Sequence, residues 1–475
     1  MRFAILAIAL AAPLAADSKL AANPAVASQI RLIEAWCRGQ MEEHRWPGMT
    51  VAVVQGEDVV WKQAFGYADV ASKKPMTTDT LFRMASNTKM FTALAILQLR
   101  DAGKLSLDDP VKKHLPWFDL KSAADGVPIT IRHLITHTSG LPRETASFVW
   151  NTYEFPTRER VRELLKTQEA AFPPETRYKY SNLALSLAGE IVEAVSGEPY
   201  AAYIDKHLLK PLGMTSSTIT PGEAERARMA TGYGRLLPGD KRDIMPFVDL
   251  KGINAAGSLT SNADDMARFM IAMMRRGKAA EGGVLKGTTL AEMQRVHWLE
   301  PDWTTAWGLG FSIMKIGDRT AAGHGGSLPG YRTQTAFVPA DKVGVAVLIS
   351  AGDANPMTVV RRIYADLVPA IVKAAAPEEK KPEPRPEWND YTGRYVSRSG
   401  VSEVLLIDGV LTVISPTSED PKASAMTLKP RPDGTFTIEA KSGGASIGEK
   451  AEFVRDASGK VVKLRLGWYE SDRER

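Results

Sequence analysis

The sequence is poorest in cysteine, with one residue, Cys37, among 475. A single thiol allows no internal disulfide and no thiolate zinc cluster, so packing alone must stabilise the fold. Cys37 sits in IRLIEAWCRGQM, where Ile30, Ile33, Cys37 and Met41 share one helical face, the pattern of a buried filler and not of a reactive thiol. Runs of one charge are also missing. Sixty Lys and Arg stand against 55 Asp and Glu, a net charge of +5, and basic residues gather no further than pairs such as Lys73-Lys74 and Arg275-Arg276. That distribution lacks the basic stripe of a nucleic-acid-binding surface, and no nucleic-acid partner is expected. No G-x-S-x-G nucleophile elbow and no GxxxxGK[ST] phosphate loop occur, which argues against an α/β-hydrolase and a P-loop nucleotide site.

Long apolar runs are absent beyond the first residues. MRFAILAIALAAPLAADSKL places Arg2 before an apolar stretch, Phe3 to Ala16, that is short for a bilayer span and ends in small residues. Residues 1–27 therefore read as a secretory signal peptide, cut after Ala16 or after Ala27. The expectation is an exported chain, secreted or periplasmic, with no membrane span once mature.

What is present is an ordinary globular composition, 44% apolar and 24% charged, long enough for two or three domains at about 150 residues each. Residues 28–374 alternate strands, helices and Gly/Pro turns without an evident repeat. VAVVQGEDVVWKQAFGYAD predicts a hairpin turning near Gly56, and AFVPADKVGVAVLIS a second turning near Ala340 and Asp341, with helical runs between them. Residues 375–387, AAPEEKKPEPRPE, read as a Pro-rich linker. Residues 388–475 read as a small all-β domain, with Asp408-Gly409 a strong hairpin turn.

The candidate chemistry starts at LFRMASNTKMFTALAILQLRDAGKL. A helix is predicted from Ser86 to about Asp101, apolar on nearly every side and therefore buried. Three residues of helix put Ser86 and Lys89 on one face. Burial penalises the ammonium, and a lysine that has lost its proton can accept one from a neighbouring serine hydroxyl. The same spacing recurs at Ser312 and Lys315, but WGLGFSIMKIGD reads as a strand, where residues three apart point to opposite faces. Tyr180-Ser181-Asn182, between a Pro-Pro turn and a helix start, offers a phenol to pass protons and a carboxamide to orient a substrate amide. His324-Gly325-Gly326 is placed on a strand edge, where glycines would let a substrate backbone approach. His133 and His137 have the spacing of two zinc ligands on a helix, but no Glu follows His133. No metal and no cofactor are expected.

These three motifs, in this order, resemble the serine β-lactamase and penicillin-binding-protein family, most closely the class C-like branch with esterases and D-aminopeptidases. Phrases such as ITIRHLITHTSGLP, HLLKPLGMTSS and AAGSLTSNADDMARF look similar too. The resemblance covers roughly Met49 to Ala374. It implies an α/β (α+β) β-lactamase/transpeptidase-like fold, an antiparallel sheet flanked by helices with a mostly helical subdomain. The final domain is similar to the lipocalin-like barrels appended to some members, in a role the sequence leaves open. The resemblance makes Ser86 the nucleophile, Lys89 and Tyr180 its proton partners, and Asn182, His324, Gly326 and Ser327 the substrate-binding residues, with the N–H groups of Ser86 and Ser327 as the oxyanion hole. Where the family commonly has Lys-Thr-Gly this chain has His-x-Gly; Lys315-Ile-Gly317 and Lys441-Ser-Gly443 are decoys. An unperturbed histidine is mostly neutral at pH 7, which suits esters or peptides better than the carboxylate of a penicillin. Arg332 is a candidate replacement charge, with an exposed structural arginine the plainer reading. The expected function is an exported serine hydrolase acting on a small-molecule or peptide ester or amide through an acyl-enzyme. A true β-lactamase or D,D-peptidase, and a non-catalytic penicillin-binding scaffold, are the alternatives. Oligomeric state is left open.

Overall fold

The computed structural model describes residues 18–120, 126–145, 148–275, 283–376, 385–440, 444 and 446–474. The first cleavage site, the middle of the Pro-rich linker and the Lys441 decoy lie outside the described residues. The chain divides into two compact units, the first ending at Ala375 and the second beginning at Ala376.

In the first unit, strands β1 (Gly48–Gln55), β2 (Asp58–Asp69) and β3 (Lys74–Pro75) come early in the chain. Strands β4 (Trp298–Leu299), β5 (Ala306–Trp307), β6 (Ser312–Ile316), β7 (Arg319–Leu328), β8 (Tyr331–Val338) and β9 (Val343–Ile349) come late. Together they form a nine-stranded sheet in the order β3-β2-β1-β9-β8-β7-β6-β5-β4, antiparallel at every pairing. Both predicted hairpins form, turning at residues 56–57 and 339–342, and β1 pairs with β9 so that the two hairpins join at the sheet centre.

Five helices supply the two cores that flank the sheet: α1 (Pro24–His44), α2 (Thr88–Asp101), α3 (Asn182–Ser196), α4 (Ala263–Met274) and α5 (Pro356–Ala375). Helix α1 starts where its sequence dictates, with Asn23 Oδ1 accepting from the N–H of Ala25 at 3.0 Å and Pro24 at the first turn. Strand β1 is buried on both faces, which explains its nearly continuous apolar run. Val51 and Val53 pack with Ile33, Cys37, Ile363 and Leu367 of α1 and α5, while Ala52 and Val54 join a second core built around α2, α3 and α4. Each fully buried valine or leucine contributes about 1.5–3 kcal/mol. Phe91 of α2 stacks on Phe269 of α4 at 4.6 Å inside that second core.

The second unit is a closed barrel of β10 (Gly393–Ser397), β11 (Gly400–Ile407), β12 (Val410–Ile414), β13 (Met426–Pro430), β14 (Phe436–Ala440), β15 (Lys450–Arg455), β16 (Val461–Leu466) and β17 (Tyr469–Arg473). Asp408 and Gly409 both take positive φ, +53° and +80°, as a two-residue hairpin turn requires. Tyr395, Val404, Leu411, Val413, Ile438 and Leu464 are buried in a single cluster, so the barrel interior is packed with its own side chains.

Candidate active site

Ser86 sits on a turn tighter than the predicted helix start. Ala85–Asn87 form a 3₁₀ turn, and regular α-helix begins only at Thr88. In a 3₁₀ turn side chains three apart eclipse, which aligns Ser86 with Lys89 on one face. Ala85 pays for this with φ at +50°, a left-handed value costing a non-glycine about 1–3 kcal/mol. Long-range hydrogen bonds hold the turn. Thr88 Oγ1 donates to the Ala85 carbonyl at 2.6 Å and accepts from the Leu259 N–H at 2.9 Å, while Asn87 Nδ2 donates to the Met84 carbonyl at 3.1 Å and to Thr333 Oγ1 at 3.0 Å.

Lys89 is 1% exposed. Its Nζ donates to Asn182 Oδ1 and to the Ala256 carbonyl, both at 2.7 Å, and lies 3.1 Å from Ser86 Oγ. Two of these partners can only accept. A neutral amine has two N–H groups to give them, which leaves its lone pair for the Ser86 hydroxyl proton. Burial pushes the Lys89 amine down to about 7, opposed by Glu144 and assisted by Arg143. The neutral, proton-accepting form is thus far easier to reach near neutral pH than for a lysine in water.

Tyr180 and Asn182 reach the same point from the start of α3. Tyr180 O–H donates to Ser86 Oγ at 2.8 Å, and the ring centroid is 4.8 Å from Lys89 Nζ. Burial raises the phenol far above its ordinary value, so it is fully protonated at neutral pH. Ser181, not Asn182, caps α3, its Oγ accepting from the Ala184 N–H at 3.0 Å, and this leaves the Asn182 carboxamide free to meet Lys89. Its Nδ2 donates to Glu144 Oε1 at 2.5 Å.

His324, Gly326 and Ser327 lie on β7. This strand is interior to the sheet, not at its edge, but its pairing with β6 ends at Gly323, so from His324 onward it is paired with β8 alone. The glycine has a different reason from the expected one. A Cβ on Gly326 would lie 2.1 Å from Thr333 Oγ1 and 2.3 Å from the Met84 carbonyl, so the close approach is made by the serine-bearing turn of the protein itself. His324 Nδ1 bonds the Gly325 carbonyl at 2.6 Å; burial, then the Lys89 charge, push the imidazole down to about 3, so it is neutral throughout the physiological range. Arg332, opposite Ser327 in register, is half-buried in the cleft wall, where Nη1 donates to the carbonyls of Leu328 and Tyr331, which corrects the exposed reading.

Ser86, Tyr180, Asn182, His324, Gly326 and Ser327 line one cleft of about 540 Å³, and Lys89 lies beneath it. Among the described residues its lining contains Arg143 and Arg332 and no carboxylate. Sequence reasoning missed much of the wall. His137 packs against Tyr180 at 4.4 Å and accepts from the Ser181 N–H through Nδ1 at 3.2 Å, while Trp307 contacts Tyr178, His137 and His324 at 4.7–5.4 Å. Glu144 and Ala256 were missed as well. The phrases ITHTSGLP and AAGSLTS held the signal for His137 and Ala256; nothing local marks Trp307 or Glu144. His133 and His137 do not converge, since His133 Nδ1 accepts from the Thr130 N–H and its Nε2 faces Glu175 at 3.2 Å.

A nine-stranded antiparallel sheet with helices on both faces, and a serine, lysine and tyrosine bonded in a cleft at its end, define a class of serine-bearing folds. A family model described as Beta-lactamase matches residues 33–370, and the chain belongs to that family. It is similar to penicillin-binding protein 4* of Bacillus subtilis, 29% identical over 307 residues, 62% of this chain and 65% of that protein, so it spans just under two thirds of that relative. It is 31% identical to esterase EstB of Burkholderia gladioli over 68% of this chain and 92% of the esterase. Among solved structures it resembles the octameric penicillin-binding protein homologue from Pyrococcus abyssi, 28% identical with a TM-score of 0.63, covering 93% of this chain and 99% of that one.

Proposed function

We propose that the protein is a serine hydrolase that cleaves ester or amide bonds through an acyl-enzyme on Ser86. The observation that carries this is the Ser86 hydroxyl set between Lys89 Nζ at 3.1 Å and Tyr180 O–H at 2.8 Å. Neutral Lys89 removes the hydroxyl proton as Ser86 Oγ bonds to the substrate carbonyl carbon. The developing oxyanion is met by the backbone N–H groups of Ser86 and Ser327. Lys89 then returns the proton through Tyr180 to the departing alcohol or amine as the acyl carbon–heteroatom bond breaks; water attacks the Ser86 ester with the same base accepting its proton, and that proton passes to Ser86 Oγ as the Oγ–acyl bond breaks and the acid leaves. Asn182 Nδ2 keeps one N–H for the substrate, and neutral His324 lines the far wall.

With His324 uncharged, Arg143 and Arg332 are the cations of the cleft, which favours neutral or anionic substrates over cationic ones. Peptide mapping after a fluorophosphonate probe is expected to find the adduct on Ser86; an adduct elsewhere, or none, overturns the reading. Turnover of short-chain p-nitrophenyl esters, D-alanyl amides and nitrocefin then orders esterase, peptidase and β-lactamase, and binding without any turnover leaves a scaffold.

Export belongs to the same reading. Among the described residues no helix is long and apolar enough to cross a membrane. Cleavage after Ala27 would remove the Asn23 cap and Val26, which is fully buried, whereas cleavage after Ala16 keeps both. We therefore assign the cut to Ala16; the N-terminal sequence of exported protein tests it.

A further inference from the structure

Glu144 lies in the loop that docks on the start of α3, where the Arg143 carbonyl accepts from the N–H groups of Asn182 and Leu183 at 2.9 and 3.2 Å. Its carboxylate is 13% exposed, and one oxygen, Oε1, accepts from both Asn182 Nδ2 and Trp150 Nε1, the latter at 2.8 Å. An ionised carboxylate only accepts, so it fixes the Asn182 carboxamide one way round. Flipped, Oδ1 would meet the carboxylate and the NH₂ group would face the Lys89 amine, with both bonds lost. The orientation of Asn182, and with it one of the two strong acceptors of Lys89, is therefore decided by a residue that neither bonds the serine nor lines the cleft itself, but stands behind two residues that do.

Charge acts along the same line. The groups around Lys89 are the Ser86 hydroxyl, the Tyr180 phenol, the neutral imidazoles of His137 and His324, and the Arg143–Glu144 pair, 3.5 Å apart. Of these Glu144 is the one anion. It favours the protonated amine, and Arg143 disfavours it.

We propose that Glu144 is a positioning residue for acylation, locking the Asn182 carboxamide toward Lys89 and standing as the anion behind that pair. The proposal rests on the acyl-enzyme reading above. Because the physiological substrate is not needed, the test is the rate of Ser86 labelling by a fluorophosphonate across pH 5 to 9, in full-length wild type, Glu144→Gln and Glu144→Leu. Glu144→Gln keeps an acceptor for Asn182 and Trp150 but removes the charge; its acidic limb is expected to move to lower pH by roughly half a unit or more. Glu144→Leu removes both functions, and its plateau rate is expected to fall about tenfold or more below that of Glu144→Gln. A Glu144→Gln limb that superimposes on wild type overturns the proposal, as does an equal loss of plateau rate in both variants with no movement of the limb, which is what a merely structural residue gives. If Glu144→Leu does not fold, the Glu144→Gln limb decides alone. Wild type that fails to label at Ser86 overturns the acyl-enzyme reading instead, an outcome separable from the other two.

Discussion

The chain spells serine, two further residues and lysine twice, at Ser86 to Lys89 and at Ser312 to Lys315. On the 3₁₀ turn the first pair is bonded at 3.1 Å, and the lysine is sealed from solvent. On strand β6 the second pair is divided between two faces. Ser312 turns toward the cleft, while Lys315 is exposed and bonds Thr320 Oγ1 on the neighbouring strand. Burial separates them further, for Lys89 receives its acceptors from Asn182 and Ala256, residues 93 and 167 positions away in the chain. Spacing supplies a candidate contact, and the backbone period with imported acceptors decides whether the pair is bonded and buried.

The strongest way to break this comparison is to ask which serine takes the acyl group. Ser86→Ala is expected to lower fluorophosphonate labelling and ester turnover by roughly a thousandfold or more. Ser312→Ala is expected to retain the adduct on Ser86, with any change confined to KM. Loss of the adduct in Ser312→Ala by intact-mass analysis would mean that the second copy, despite its strand, belongs to the chemistry.

A second test sharpens the difference between the lysines. In the proposed mechanism the amine of Lys89 must be neutral to act, and burial depresses it to about 7. The active form is therefore lost as pH falls through that value, and kcat/KM is expected to drop by about tenfold for each unit below it, roughly a hundredfold by pH 5. A profile flat between pH 5 and 8 would show that Lys89 is not the titrating base.

Much of this was legible in the residues because it is local. The two hairpins, the Asp408-Gly409 turn and the burial of α2 follow from periodicity and turn chemistry, and Ser86, Lys89, Tyr180 and Asn182 declare themselves by type and spacing. What was not legible depends on contacts across the chain. The 3₁₀ character at Ala85–Asn87 comes from hydrogen bonds to Leu259 and Thr333, which no local propensity encodes. Trp307 and Glu144 carry no motif, and Arg332 reads as an ordinary surface cation until the strand register places it opposite Ser327. Gly326 is expected to admit a substrate backbone, and the structure adds a second close neighbour, the Met84 carbonyl of the serine-bearing turn, that the sequence does not show.

That partner gives the third test. Gly326→Ala forces a Cβ into the Met84 carbonyl and Thr333, and neither is the free end of a flexible side chain. The expected response is a shift of the Ser86 turn, with about 1–3 kcal/mol lost from stability and labelling slowed roughly tenfold. If instead the variant labels normally and only its KM rises, the glycine serves the substrate and not the turn. The first serine–lysine pair would then be held by its own helix, and the contrast with the second would lie in secondary structure alone.

The smallest expected effect comes from the other side of the comparison. Lys315 sits opposite Thr320 in the register of β6 and β7, and its side-chain hydrogen bond, 2.8 Å to that hydroxyl, is exposed to water on the sheet surface. Water replaces such a bond almost fully, so Lys315→Ala is expected to cost no more than about 0.5 kcal/mol, read as a small change in Tm. Labelling of Ser86 and its pH profile are expected to match wild type. The control is informative because Lys315 is a cation on a strand whose other face borders the cleft: a displaced acidic limb in Lys315→Ala would mean that its charge reaches Lys89 through the sheet. The two lysines would then differ in distance from the serine but not in kind. Because the strand turns Lys315 outward into solvent, where screening is strong, no such displacement is expected.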